Sequence, residues 1–310
     1  MDLSVVVPVR NGGATLPECL EALARCEGPA PEVLVVDDGS TDGTATIAAA
    51  HGARVLETPR LGSAAARNAG AAAAGADTLL FLDADCRPHS TALTIVRDAL
   101  RTPGVDAVFG SYDDDPAAPG LASQFKNLHH HWIHQHGRED AGSFWTGCGA
   151  VRREAFHAVG GFDAERYPRP SLEDLEFGHR LRAAGYGIRL EKRLQVTHLK
   201  AWSLRDVVRS DVFDRAAPWT ELVLERVGPA GQLNLRPSQL ACGLLGLPFP
   251  PALPLLQPGF YRFLARRRGV RFAIAAWPLH WLYFASGAAG AALGVLRFTA
   301  RRAKRILSYS

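Results

Sequence analysis

Short, continuous apolar runs alternate with longer amphipathic or alanine-rich stretches through the first third of the chain. Leu3 to Val9 reads as a buried strand, and the Asn11-Gly12-Gly13 turn leads into an amphipathic helix from Thr15 to Cys26. Glu32 to Val36 is a second apolar strand, closed by Asp37-Asp38-Gly39-Ser40 and followed by an alanine-rich helix with Thr41 or Asp42 as its N-cap. Arg54 to Glu57 predicts a short third strand, Ser63 to Ala74 a helix, and Thr78 to Leu82 and Asp106 to Tyr112 two further strands. Such alternation predicts an α/β domain of Rossmann-like character, with a mostly parallel sheet covered by helices on both faces.

Beyond Tyr112 the pattern loosens. Asp113 to Gly120 is rich in turn residues, and a helix carrying His129, His130, His131, His134 and His136 follows. Phe144 to Val151 is strand-like, Arg153 to Val159 helical, and Leu172 to Ala184 a stronger helix ended by Gly185. Late in the chain the character changes. Pro237 to Tyr261 and Phe272 to Leu296 contain no charge, and each is long enough to cross a bilayer core of about 30 Å as a helix. Pro248, Pro250, Pro251 and Pro254 would break a straight span in the first, so a re-entrant or interfacial hairpin competes with it. The expected division is residues 1–225 as the α/β domain and residues 226–310 as a membrane-associated hydrophobic and basic region.

Charge sharpens that division. The formal net charge of +4 hides an asymmetry, because from Pro258 onward every charged residue is Arg or Lys. Arginine clusters flanking long uncharged runs suit anionic lipid headgroups better than nucleic acid, so membrane lipids are the expected partner and nucleic acid is not. Two full spans would leave the Arg262 to Arg271 cluster outside, and one span would leave Arg301, Arg302, Lys304 and Arg305 there, so either choice offends the positive-inside rule. At least one segment is therefore expected to dip into the cytoplasmic leaflet without crossing, with Tyr261 to Phe272 lying in the interface. The five cysteines make an odd count with no CxxC spacing, which points away from a disulfide framework or structural zinc and toward a reducing compartment. Met1-Asp2-Leu3-Ser4 lacks a basic n-region, so no signal peptide is expected and the α/β domain should face the cytoplasm.

The candidate chemistry collects at strand ends. Open sheets of this kind bind ligands beyond the carboxyl ends of their strands, and Pro8, Asp38 and Asp83 all stand there. Asp83-Ala84-Asp85 puts two carboxylates on a tight turn, suited to a hard divalent cation that also holds substrate phosphates, although a solvated acidic turn looks the same. Asp38 would accept hydrogen bonds from a nucleobase or ribose, or simply belong to a helix-capping box. Glu173-Asp174 at a helix start would serve either the helix dipole or as a general base for an acceptor hydroxyl. The histidine run suggests a metal, yet His129, Trp132 and His136 are spaced along one helix face over an acceptor cleft.

Taken together, six segments resemble the pattern of glycosyltransferase family 2, which has a GT-A fold. They are Ser4-Val5-Val6-Val7-Pro8-Val9-Arg10-Asn11, Val35-Val36-Asp37-Asp38-Gly39-Ser40-Thr41-Asp42, Ala66-Arg67-Asn68-Ala69-Gly70, Asp83-Ala84-Asp85, Gly160-Gly161-Phe162-Asp163 and Glu173-Asp174. The resemblance implies inverting transfer of a sugar from a nucleotide-diphosphate donor to a hydroxyl or lipid-phosphate acceptor, with Mn²⁺ or Mg²⁺ as cofactor. It gives Pro8, Val9 and Asp38 to the nucleoside, Arg67 to the nucleotide, and Asp83 to the ribose or metal. Asp85 becomes the direct metal ligand, and Asp174 the base with Glu173 as its neighbour. His198 is similar to an additional metal or phosphate ligand, and a structural histidine at a strand edge is the alternative. Trp145, in the loop Trp145-Thr146-Gly147-Cys148-Gly149, would stack on the sugar or pack beneath the loop. The QxxRW signature of processive synthases is absent, Arg215-Ala216-Ala217-Pro218-Trp219 matching it only faintly, so one sugar per event is expected at a lipid-linked or membrane-proximal acceptor. Arg209 and Arg215 are expected to approach the diphosphate or a lipid phosphate, or to form a basic helix face toward headgroups. A nucleotidyltransferase would need a longer glycine-rich loop than Asn11-Gly12-Gly13. An inactive membrane scaffold would not need Asp85, Asp174 and His198.

Overall fold

The structure, a computed structural model, describes residues 2–225 and 241–308, without the side chains of residues 304–308. The start of the first uncharged segment, at Pro237, and the side chains of Lys304 and Arg305 therefore lie outside the described residues. The chain forms two units. One takes in the chain up to Ala118 together with His129–Lys200, and the other Pro119–Leu128 together with the chain from Ala201 onward.

The first unit is built on an eight-stranded sheet. Its strands are β1 Leu3–Val9, β2 Glu32–Asp37, β3 Arg54–Glu57, β4 Thr78–Leu82, β5 Cys86–Pro88, β6 Ala107–Tyr112, β7 Cys148–Arg152 and β8 Ile188–His198, in the order β3-β2-β1-β4-β7-β6-β8-β5. The first four are mutually parallel. β7 runs antiparallel to both β4 and β6, β8 is parallel to β6, and β5 is antiparallel to β8, so the sheet as a whole is mixed. The reversal has a simple origin. The connection after β6 leaves from Tyr112 and re-enters the sheet at Cys148, opposite Leu82, without crossing to the other end of the strands.

Every residue of β1 and β4 is buried, which is why both read as unbroken apolar runs rather than as alternating ones. The Ser63–Ala73 helix lies so close over β1 that a Cβ on Gly70 would sit 2.3 Å from Val6 Cγ1. The second helix starts at Thr44 with Gly43 in the N-cap position, in place of the expected Thr41 or Asp42. Asp42 instead braces two loops: its Oδ2 accepts the Gly13 N–H at 3.0 Å, and its Oδ1 takes the Thr44 hydroxyl. The segment from Phe144 to Gly147 is loop, with β7 beginning only at Cys148.

In the second unit, Leu204–Arg209, a π-helical stretch Ser210–Ala216 and Ala217–Leu224 follow one another directly. The described part of the first uncharged segment is not one straight helix. It consists of the π-helical Cys242–Gly246, a proline-bearing turn, the short helix Ala252–Leu256, and the start of the helix Pro258–Arg268. The last helix, Val270–Ser308, contains Pro278, and its Val270–Ala303 part is long and apolar enough to cross a membrane.

Candidate active site

Because β1, β2 and β4 are parallel and in register, their carboxyl ends form one rim. Pro8 and Val9 are buried at the end of β1, and the Val9 carbonyl accepts the Asp38 N–H at 2.8 Å. The side chains of Pro8 and Val9 thus belong to the core, and the Val9 carbonyl is occupied by β2. The loops beyond the two strands are stapled together: Asn11 N–H donates to Ser40 Oγ at 2.8 Å, and Thr41 N–H donates to Asn11 Oδ1 at 2.8 Å.

Asp38 is buried and shapes the loop after β3. Its Oδ1 accepts from the Thr58 hydroxyl at 2.8 Å and Leu61 N–H at 2.6 Å, and its Oδ2 accepts Gly62 N–H at 2.8 Å. A carboxylate offers about four lone-pair positions, so one remains after these three bonds.

Arg67 is 5% exposed and is shared between two carboxylates. Nη2 donates to Asp83 Oδ1 and Nη1 to Glu173 Oε1, both at 2.8 Å. Glu173 also accepts the Ser63 hydroxyl at 2.9 Å and the Ser171 N–H at 2.7 Å. Glu173 therefore does more than complement a helix dipole: it binds the start of the Glu173–Ala183 helix to the start of the Ser63–Ala73 helix.

The register of β5 against β8 pairs Cys86 with His198 and so carries Asp85 to His198. His198 Nε2 lies 3.3 Å from Asp85 Oδ2, and Leu199 N–H donates to the Asp85 carbonyl at 2.8 Å. His198 stacks on Tyr112, with ring centroids 4.3 Å apart and planes 13° from parallel. Tyr112 meets Trp145 edge-on at 5.0 Å, and Trp145 also touches His130 and His134. Trp145 is thus packed within an aromatic group behind His198. The histidine run serves that packing. Nδ1 of His131 donates to the Tyr112 carbonyl at 2.8 Å and Nδ1 of His134 to the Gly110 carbonyl at 2.9 Å, fastening the helix along β6. His136 lies just past the end of the Leu121–Gln135 helix, ring to ring with Trp132 at 3.6 Å.

Asp174 sits in the first turn of its helix. Oδ1 accepts Leu175 N–H at 2.8 Å, and Oδ2 lies 3.3 Å from Thr146 N and 3.4 Å from its hydroxyl oxygen. Burial, and next the charge of Glu173, push its carboxyl up to about 6, against the opposing pull of Arg67 and of the two N–H groups. The neighbouring residue Gly147 accepts the Asp83 N–H through its carbonyl at 3.3 Å. Consecutive residues of one loop therefore hold the Asp174 carboxylate and the Asp83 backbone. Tyr112, Ser63 and Ser171 went unnoticed in the sequence, and Thr146 was noted only as part of the Trp145 loop. Tyr112 could have been found as the last residue of a strand ending on this rim, whereas Ser63 and Ser171 carry no local signal.

Among the described residues, no group of three or more His, Cys, Asp or Glu side chains is arranged to hold a metal by itself. Asp85 and His198 are a pair, and Asp83 already has a cationic partner in Arg67. The Asp85 carboxylate and the His198 imidazole, 3.3 Å apart, offer the oxygen and nitrogen donors that divalent ions take, so the pair fits such an ion.

This architecture, a mixed sheet with helices and a carboxylate-bearing rim, is the GT-A fold. The sequence model of the family described as Glycosyl transferase family 2 matches residues 4–160. The chain belongs to that family. Among curated proteins, it is 37% identical over 130 residues to glycosyltransferase AglE of Haloferax volcanii, covering 39% of this chain and 43% of that one. It is also 30% identical over 224 residues to the pre-mycofactocin glycosyltransferase of Mycobacterium tuberculosis, covering 68% of this chain and 46% of that one. The chain spans less than half the length of these two relatives. Among solved structures, the mannosyltransferase PcManGT from Pyrobaculum calidifontis, in complex with GDP-Man and Mn²⁺, aligns with a TM-score of 0.62 at 20% identity, over 94% of this chain and 86% of that one. Residues 1–349 of S. aureus TarS, in complex with UDP-GlcNAc, align with a TM-score of 0.54 at 18% identity, over 93% and 91%.

Proposed function

We propose that this protein transfers one sugar per event from a nucleotide-diphosphate sugar to a hydroxyl or lipid-phosphate acceptor at a membrane, with inversion at the anomeric carbon. The observation that carries the reading is the joining of Asp174 and the Asp83-Ala84-Asp85 turn through consecutive residues, Thr146 and Gly147. A base poised near neutrality is thereby linked to the turn at which a donor diphosphate would be bound. Family membership and the nucleotide-sugar complexes of the structural neighbours support the donor class.

Asp85 and His198 would hold Mn²⁺ or Mg²⁺. When bound, the ion would neutralise charge developing on the departing diphosphate. Arg67, already seated on Asp83, adds a fixed positive charge to that rim and leaves Asp83 for the donor ribose or a water-bridged contact. Asp174 removes the proton of the attacking hydroxyl through an unfilled lone pair, Thr146 and Leu175 keeping its carboxylate in place. Asp38, with one lone pair remaining, and the backbone around Pro8 and Val9 form the nucleoside end. Trp145 supports the sugar pocket from behind Tyr112. An arginine-rich region without acidic residues supports a membrane-proximal acceptor and a catalytic region facing the cytoplasm, where nucleotide sugars are made.

Thermal unfolding with UDP or GDP, each with and without Mn²⁺, tests the reading. A ligand at 100 times its Kd adds about 2.7 kcal/mol to stability. A metal-dependent rise in Tm with one of the two is expected, and no rise with either would sink the proposal.

A further inference from the structure

By length and composition the Val270–Ala303 helix is able to span a bilayer, but its neighbours within the second unit forbid it. The C-terminal half of this helix is seated against the Leu204–Leu224 segment. A Cβ on Gly290 would lie 2.5 Å from Ala216 Cβ and 2.8 Å from the Val212 carbonyl oxygen, and one on Gly294 would lie 2.6 Å from the Ala217 carbonyl oxygen. Further along, Arg301 pairs with Glu221. Toward the other end, Tyr283 is within electrostatic reach of Asp211 and Arg215, and the Leu204–Arg209 helix touches the same long helix. The Leu204–Leu224 segment carries Arg205, Asp206, Arg209, Asp211, Arg215 and Glu221 among its charged residues. A helix so charged has no place in hydrocarbon, where even one ionised side chain is costly. Whatever part of the long helix it covers therefore stays out of the bilayer core as well.

That leaves Val270 to Leu282, thirteen residues by the numbering. At 1.5 Å per residue they extend about 20 Å, well short of a core of about 30 Å. The proline-rich segment before them does not make up the difference, because it is folded back onto this same stretch. Trp277 Nε1–H donates to the Pro250 carbonyl at 2.9 Å, and Trp281 Nε1–H to the Leu247 carbonyl at 3.1 Å. The two indoles satisfy backbone carbonyls at the point where proline has broken the helix, the condition for irregular backbone to enter an apolar phase. The same segment presents Leu244 at 76% exposure, Phe249 at 61% and Leu255 at 79%, with Leu245 also exposed, and Ile274 is exposed near the start of the long helix. Arg262, Arg266 and Arg271 are exposed on the adjoining elements, and the sequence has no Asp or Glu after Glu225.

We propose that this region is monotopic: the Cys242–Leu256 wedge and the exposed start of the long helix enter one leaflet of an anionic bilayer, Arg262, Arg266 and Arg271 lie among the headgroups, and no helix crosses. The proposal rests on the membrane-proximal part of the proposed function and not on its transfer chemistry.

Two measurements on the full chain test it. In sealed vesicles with the N-terminal region outside, a C-terminal tag is expected to be cleaved by added protease without detergent; a tag protected until detergent is added overturns the proposal. In flotation, the chain is expected to partition about tenfold or more better onto phosphatidylcholine vesicles containing phosphatidylglycerol than onto pure phosphatidylcholine. Phe249→Asp combined with Leu255→Asp should weaken that partition about 10- to 100-fold while leaving the nucleotide-dependent rise in Tm in place. Unchanged flotation of this variant, or no flotation of the parent chain, overturns the wedge. Normal flotation with an exposed tag but no nucleotide response upholds the monotopic reading and counts against the transferase instead.

Discussion

In the proposed mechanism the state of Asp174 sets the rate: as a base it would work deprotonated, and burial together with the Glu173 charge pushes its carboxyl up to about 6. Activity should therefore be full above that value and fall tenfold per unit as pH drops below it. Glu173 contributes to the shift by like-charge repulsion, so Glu173→Gln should move the acid limb of the pH–rate profile to lower pH, whereas a purely structural loss would lower activity at every pH alike. Asp174→Asn should keep nucleotide binding and lose about 10² to 10⁴ in transfer rate. The motif residues Asp38, Arg67, Asp83, Asp85, Glu173, Asp174 and His198 were all legible in the sequence as a constellation. Their divisions of labour were not. That Arg67 spends both terminal nitrogens on Asp83 and Glu173 depends on a contact between residues 106 positions apart, and no local pattern encodes it.

At the scale of elements, Arg67 is a tie between the Ser63–Ala73 helix, the end of β4 and the start of the Glu173–Ala183 helix. Removing one partner of a buried charged cluster strands the others, so Arg67→Met should cost about 3 kcal/mol of stability in denaturant unfolding. Glu173→Gln, which keeps a hydrogen-bonding group beside Arg67, should cost less. The strand and helix alternation up to Leu82 was readable because each run there has one period. β5 is three residues long and β8 mixes Arg, Glu, Lys and Gln with its apolar positions, so neither stands out, although their pairing is what brings Asp85 to His198. The π-helical stretches Ser210–Ala216 and Cys242–Gly246 were equally invisible, since a change in hydrogen-bond register leaves little trace in polarity.

For the molecule as a whole, the chain divides in a way that linear reading does not suggest: Pro119–Leu128 groups with the residues after Ala201 rather than with its sequence neighbours. A boundary drawn along the sequence cannot show such an exchange, because each piece of it is locally an ordinary turn or helix. The two uncharged segments were conspicuous, but whether they cross a bilayer depends on what packs against them. If arginine–headgroup attraction contributes to membrane attachment, binding to phosphatidylglycerol vesicles should weaken steadily as salt is raised from about 0.05 to 0.5 M, in measurements of bound fraction against ionic strength. Apolar insertion alone would give a flat or rising curve. The loop through Thr146 and Gly147 has a different consequence, for anyone wishing to re-engineer the enzyme. An insertion between Trp145 and Cys148 would displace the proposed base and the Asp83-Ala84-Asp85 turn in the same step, so a graft meant to change the acceptor has to leave the length of that stretch unaltered.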